Sequence, residues 1–108
     1  MTFTGLASPS RGASETCVWR LRVHPGAEPA EHSLDREEVL IVTGGRALAR
    51  LAGTVHEVAA GDAVIVPAHT SFSLANPGQE PFEAVVALPV GALARLADGQ
   101  TLVPPAAR

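Results

Sequence analysis

The sequence predicts an all-β fold of antiparallel sheets, either packed as a sandwich or closed as a barrel. In the stretch TCVWRLRV, residues 16–23, apolar and polar side chains alternate with a period of two, as in a half-buried strand. The later apolar runs are short, rich in Val, Ile, Leu and Ala, and separated by glycine turns of hairpin length. No segment between them has a helical period, so we expect no helical layer.

The remaining strands follow from these runs, each of which ends at a glycine or proline turn. The chain has 108 residues and a hydrophobic content of 46%, which suits one compact domain. The further strands are expected in the stretches EEVLIVT, RALARLA, VHEVAA, AVIVPA, SFSLAN and FEAVVALP.

The two ends of the chain differ from this central region. Residues 1–14 are rich in Ser, Thr, Gly and Ala without a period, which predicts a flexible N-terminal arm to which we assign no chemistry. Residues 15–90 carry the β-barrel pattern. Residues 91–108 are expected to be a C-terminal tail, in which either a short helix packs Leu93 and Leu96 against the barrel or a loose segment caps its end.

The charge and hydropathy of the chain limit which classes of partner it is expected to bind. The net charge is −3 and the eight Lys and Arg residues are scattered, so we expect no nucleic acid partner. No stretch is as apolar and long as a membrane span or a secretory signal, so we expect a cytoplasmic protein with no membrane partner. The only cysteine, Cys17, falls in an apolar alternation and is expected to be a buried structural thiol.

The stretch GAEPAEHSLDREEVLIVTGG, residues 26–45, carries a spaced His and Glu. Residues two apart on a strand point to the same face, so His32 and residue 34 can aim at one point. The stretch resembles the first motif of the cupin superfamily, G-x5-H-x-H-x3-E-x6-G. Gly26, His32, Glu38 and Gly45 match it, and Leu34 stands in place of the second histidine.

The stretch GDAVIVPAHTSFSLAN, residues 61–76, resembles the second cupin motif, G-x5-P-x-G-x2-H-x3-N. Gly61, Pro67 and Asn76 match it. His69 replaces the middle glycine, and Phe72 replaces the histidine.

This resemblance covers roughly residues 17–89 and implies a double-stranded β-helix, the cupin or jelly-roll barrel, often a homodimer with its site inside the barrel mouth. The family pattern supplies three histidines and one glutamate to a metal, and two of those four positions are apolar here. A catalytic metal usually needs about three protein ligands. His32, Glu38 and the nearby His69 therefore leave a divalent transition metal (Fe, Mn, Ni, Cu or Zn) open, and no cofactor is firmly predicted.

Without a metal, His32 and Glu38 are the candidate catalytic pair. In an apolar pocket they could act as general acid and base in an isomerisation or cyclisation of a small organic ligand. The same two residues could instead be a buried hydrogen-bonded pair with no catalytic role. The pocket is expected to be lined by Leu34, Leu40, Phe72, Leu74 and Trp19.

Three functional hypotheses follow and stay open at this point. The first is a cupin that binds a small molecule at a degenerate metal site, with or without metal-independent proton transfer. The second is a metal-dependent oxygenase or isomerase, and the third is a non-catalytic sensing or accessory protein.

Two arginines and two histidines have no assigned chemical role. Arg20 and Arg22 could face the cavity and bind a carboxylate, or lie on the outer face of the sheet. The alternation of residues 16–23 does not decide between these faces. His24 and His56 match no ligand position and are expected at the surface.

Overall fold

Eleven strands and two short 3-10 helices form the computed structural model, which describes residues 1–108. Each predicted strand stretch contains a strand. The strands are β1 (Thr2–Ala7), β2 (Thr16–Val23), β3 (His32–Leu34), β4 (Glu38–Gly44), β5 (Arg46–Leu51), β6 (Thr54–Ala59), β7 (Ala63–Val66), β8 (Phe72–Ala75), β9 (Phe82–Pro89), β10 (Ala94–Leu96) and β11 (Thr101–Leu102), and the 3-10 helices are Pro9–Arg11 and Pro105–Ala107.

The strands form two sheets, and every pairing is antiparallel. The first sheet has the order β1-β2-β9-β4-β7, and the second has the order β11-β10-β3-β8-β5-β6. The all-β antiparallel prediction is confirmed. The chain crosses repeatedly between the sheets, because sequence neighbours such as β3 and β4 lie in different ones.

The core lies between the two sheets. Because side chains alternate along a strand, β2 and β9 bury every second residue. The buried side chains of both sheets join one cluster of 21 residues, in which Val23 and Phe82 are fully buried. Burial of this size is the main favourable term for the fold.

Two turns show why glycine stands where it does. Leu51 and Thr54 are the last pair of the β5–β6 hairpin, and both loop residues, Ala52 and Gly53, have positive φ. A two-residue loop with two positive φ angles is the hairpin turn that matches strand twist. At Gly45, between β4 and β5, a Cβ atom would overlap the carbonyl oxygen of Pro81.

Asn76 ties the end of β8 to β2. Its Nδ2 donates to the carbonyl oxygens of Val23, at 3.0 Å, and Glu80, at 2.8 Å. Its Oδ1 accepts from the backbone N–H of Gly78 at 3.1 Å. The backbone N–H of Gly26 also donates to the carbonyl oxygen of Asn76. The last residue of the second motif thus bonds to the first residue of the first motif.

The N-terminal segment differs from the flexible arm expected for residues 1–14. Its residues 2–7 form β1, which pairs with β2 along its length, and the 3-10 helix Pro9–Arg11 follows. Thr and Gly at half of these positions hide the strand from a hydrophobic pattern. The pairing with β2 supplies the backbone hydrogen bonds that define the strand.

The short helix considered for the C-terminal tail does not form. Residues 94–96 make β10, which pairs with β3 and β11, and the only helical turn is the 3-10 helix at Pro105–Ala107. Leu93 and Leu96 are 42% and 37% exposed, so they do not pack into the core as the helix would have required. The backbone ladder to β3 overrides the local helical spacing.

No helix in the structure is long and apolar enough to cross a membrane. Cys17 is fully buried, as expected, and its thiol donates to the carbonyl oxygen of Ala107 at 3.7 Å. Desolvation by burial raises the pKa of this thiol.

Candidate functional site

A cavity of about 250 Å³ lies among side chains of both sheets. It is lined by 18 residues, of which 14 are hydrophobic. His32 and Glu38 both line it, and so do all the side chains expected to form the pocket: Trp19, Leu34, Leu40, Phe72 and Leu74. The volume lies just below the range of about 300–1,000 Å³ usual for small-molecule sites, so the cavity suits a small ligand.

Glu38 begins β4, in the interior of the first sheet between β7 and β9. Alternation along β4 sends Glu38, Leu40 and Val42 inward, and only 5% of the Glu38 surface is exposed. Its carboxyl group takes part in no ion pair. Desolvation by burial raises the pKa of Glu38 from an ordinary value of 4.5 to about 7. The carboxyl group therefore changes charge close to neutral pH.

His32 begins β3 and is only partly buried. Its Nδ1 lies 3.0 Å from the carbonyl oxygen of Ala30. Since a carbonyl can only accept, Nδ1 carries the hydrogen in this bond, and Nε2 of the neutral ring keeps its lone pair. The ring meets the edge of Phe72, its direct partner across β3 and β8, with centroids 6.0 Å apart and planes at 65°.

His32 and Glu38 line the same cavity without a hydrogen bond between their side chains. The buried hydrogen-bonded pair considered from the sequence is therefore absent. The pKa of Glu38 is raised by its apolar surroundings rather than by a partner.

Only two side chains of the cavity, His32 and Glu38, could act as ligands to a metal. Leu34 and Phe72 stand at the other two motif positions, where they are 4% and 3% exposed and offer no ligand atom to a metal. His69 is exposed, does not line the cavity and has a φ of 62°. That backbone conformation favours glycine, which explains the glycine of the motif at this position.

No three His, Cys, Asp or Glu side chains lie together so as to hold a metal ion. The expected third ligand, His69, is thus not brought to His32 and Glu38. The residues present do not fit the three-ligand requirement of a catalytic metal.

The arginines lie outside the cavity. Arg20 and Arg22 are exposed on the outer face of the first sheet, and Arg22 Nε is 3.7 Å from Glu83 Oε1. His24 and His56 are exposed, as expected, and His24 Nδ1 lies 3.0 Å from the N-terminal amine. None of these four side chains lines the cavity.

Both chain ends contribute to the cavity wall, which the sequence did not predict. The contacts come from the N-terminal strand and from the segment before and within the last 3-10 helix. No local pattern signals them, because they depend on pairing between distant parts of the chain. The residues concerned are Met1, Phe3, Leu102, Pro104, Pro105 and Ala106.

Comparison with known proteins agrees with this architecture. A sequence model of the cupin domain matches residues 19–88, well over half of the chain. The chain matches none of the curated proteins with which it was compared.

Solved structures show the same fold. An uncharacterized conserved protein with a double-stranded β-helix domain from Klebsiella pneumoniae is 28% identical, with a TM-score of 0.76 over 86% of this chain and 75% of that one. The polyketide cyclase RemF from Streptomyces resistomycificus has a TM-score of 0.78 at 20% identity, over 95% and 72%. A sugar phosphate isomerase from a cupin superfamily, from Silicibacter pomeroyi, has a TM-score of 0.71 at 22% identity, over 89% and 66%. The predicted double-stranded β-helix is confirmed.

Proposed function

The chain belongs to the cupin family, and on that premise we propose that it binds a small, largely apolar organic molecule in the cavity between its sheets. We propose further that Glu38, with His32, transfers a proton on that molecule in an isomerase-like or cyclase-like step. The observation that carries this proposal is the buried Glu38 carboxyl group in an apolar cavity, with a pKa raised to about 7. A general acid or base works best when its pKa lies near the working pH.

We propose that the metal site of this chain is degenerate. Two buried apolar side chains, Leu34 and Phe72, at motif positions that carry histidine in the family pattern support this. The exposed position of His69 gives no support to the metal-dependent alternative. The reaction is therefore derived from His32 and Glu38 alone.

The roles of the two side chains differ. Glu38 in its ionised form would accept a proton from a carbon acid, and its protonated form would return it at another position. His32 is the less buried of the two, and in its neutral form, with Nδ1 bonded to the carbonyl oxygen of Ala30, its Nε2 would relay a proton between the cavity and solvent. Exclusion of water by the apolar lining would keep the charge of Glu38 unscreened.

The first test is metal analysis of protein purified without chelator. The proposal expects no stoichiometric iron, manganese, nickel, copper or zinc. A stoichiometric metal, with anomalous scattering beside His32, would show that the metal-dependent alternative is correct.

The second test is hydrogen–deuterium exchange at the α-carbon of 2-indanone in D₂O, followed by NMR. Exchange catalysed by the protein should rise with pH with a midpoint near the pKa of Glu38, and should be lost in Glu38→Gln and His32→Ala. Catalysis that persists in Glu38→Gln would contradict the assigned base. If 2-indanone binds but neither the parent nor the variants catalyse exchange, the alternative of a non-catalytic binding protein is correct.

We propose that the protein is a homodimer formed through the outer face of its first sheet. The register puts Val39 opposite both Ile65 and Ala87, and Ile41 opposite Val85, so apolar side chains form adjoining rows. Ile41 and Ile65 are 45% and 59% exposed, and exposed apolar patches of this kind mark protein contacts.

Light scattering of Ile65→Glu tests this dimer. The variant should be monomeric, whereas Val55→Glu, which changes a 51% exposed valine on the second sheet, should remain dimeric. Equal behaviour of the two variants would argue against this face.

A further inference from the structure

The polar groups of the cavity are few. Of the 18 lining residues, only Trp19, His32 and Glu38 have side chains with nitrogen or oxygen atoms, and no Lys or Arg is among them. Any polar part of a ligand must therefore be recognised by these three side chains or by backbone atoms.

Trp19 has a buried donor without an acceptor. Its Nε1 is the one buried side-chain nitrogen or oxygen in the chain that has no hydrogen-bond partner. The residues opposite Trp19 in the sheet are Gly5 and Val86, neither of which has a side-chain acceptor. An unpaired buried N–H is unfavourable, and such a group on a residue that lines a cavity requires an explanation.

We infer that the indole N–H of Trp19 donates a hydrogen bond to the carbonyl oxygen of the ligand, and that the ligand is a small, uncharged, largely apolar carbonyl compound. This inference rests on the proposed binding function of the cavity and names its ligand class. Nε1 is covered in the free protein, so the ligand reaches it only after a small shift of the indole ring toward the cavity. The acceptor of the ligand then recovers the hydrogen bond that the free protein lacks.

The chemistry of the donor favours a carbonyl group. The indole N–H can only donate. A carbonyl oxygen accepts and brings no hydrogen of its own, whereas a hydroxyl group would bring a further donor into a cavity with few acceptors. The remainder of the ligand would lie against the apolar side chains that make up most of the lining.

The charges around the cavity favour an uncharged ligand. An anion would lose its hydration without gaining a Lys or Arg partner, which is costly in an apolar site. Arg20 and Arg22 cannot supply this charge, because alternation along β2 puts them on the outer face, opposite to Trp19. Phosphorylated and carboxylated molecules are therefore expected to bind poorly.

Three probes of similar shape separate these contributions: acetophenone, the apolar α-methylstyrene and the charged benzoate. Because the chain has one Trp, its indole gives a single ¹⁵N–¹H signal. We expect acetophenone to move this proton signal downfield, and α-methylstyrene to bind without that shift. Benzoate should bind more weakly than either.

The variant Trp19→Phe keeps an aromatic ring and removes the donor. We expect it to lose about five- to tenfold in affinity for acetophenone, the range of one net hydrogen bond, while its affinity for α-methylstyrene changes little. Leu21→Val, which trims another lining residue, is the matched control and should alter both affinities alike.

The outcomes distinguish the inference from the function on which it rests. If α-methylstyrene binds and acetophenone shows no indole shift, or if Trp19→Phe weakens both equally, the donor role is wrong while the apolar binding site stands. Benzoate binding as tightly as acetophenone would overturn the uncharged ligand class. Failure of every probe to bind in the cavity would refute both proposals. Should Trp19→Phe not fold, the indole shift in the unaltered protein still decides.

Discussion

Replacement of Glu38 by Gln should change how the stability of the protein depends on pH. The folded state holds a proton on Glu38 up to about pH 7, whereas the unfolded chain releases it near the ordinary value of 4.5. Between these values the folded state binds more protons, so the free energy of unfolding falls as pH rises. Below this window the carboxyl group is protonated in both states and contributes no pH dependence.

The size of this effect follows from the two pKa values. Each pKa unit corresponds to about 1.4 kcal/mol. The difference between 4.5 and about 7 therefore destabilises the parent protein by about 3 kcal/mol at pH values above the window, relative to acidic pH. Glu38→Gln removes this dependence, because the amide does not titrate and has a similar shape.

Urea unfolding of parent and variant at about pH 4 and about pH 8 measures the effect. The stability of Glu38→Gln relative to the parent should increase by about 3 kcal/mol between the two pH values. Glu37→Gln, which removes the same charge from the adjacent exposed residue, should follow the parent at both.

A constant difference between Glu38→Gln and the parent across this range would refute the reasoning. It would mean that the carboxyl group is not desolvated in the folded protein. The general acid–base role proposed for Glu38 would then lose its physical basis as well.

Three further experiments test the structure. Asn76→Ala removes three hydrogen bonds from a buried site and should lower the free energy of unfolding by about 2–3 kcal/mol, measured by urea unfolding; a loss below 1 kcal/mol would count against these bonds. Gly45→Ala should destabilise far more than Gly53→Ala, since both have positive φ but only Gly45 would bring its Cβ onto backbone; similar melting temperatures would contradict the close approach. Leu34→His combined with Phe72→His should bind zinc stoichiometrically in a calorimetric titration, whereas the parent should not; a folded double variant that binds no better would contradict the side-chain directions.

The sequence predicted the central strands because three independent signals agree there. The alternation in β2, the short apolar runs and the glycine turns all depend on local backbone geometry, which a pattern can report. The spaced motifs then located His32, Glu38, Leu34 and Phe72, and the structure brings these four to one cavity.

The structure at the two ends of the chain could not be predicted in this way, because it depends on pairing with distant strands. β1 is an edge strand with polar and small residues, and it is stabilised by pairing with β2 rather than by its own pattern. Around β10, the spacing of Leu93 and Leu96 favours a helix locally, while the ladder between β10 and β3 decides the outcome. Whether Arg20 and Arg22 point toward the core or toward solvent depends on which side of the sheet is covered. The sequence of a single strand does not determine this.

Because Cys17 is buried beneath the C-terminal turn, the reactivity of its thiol can be used to measure how often the structure around it opens. The thiol is the only one in the chain, and it is covered by the segment that ends at Ala107 and borders the cavity at Ala106. Because Cys17 is fully buried, a thiol reagent can react only after an opening that exposes it, and lifting of this segment is one such opening. A ligand that holds the segment down should slow the reaction, so occupancy of the cavity could be followed without knowing what the natural ligand is.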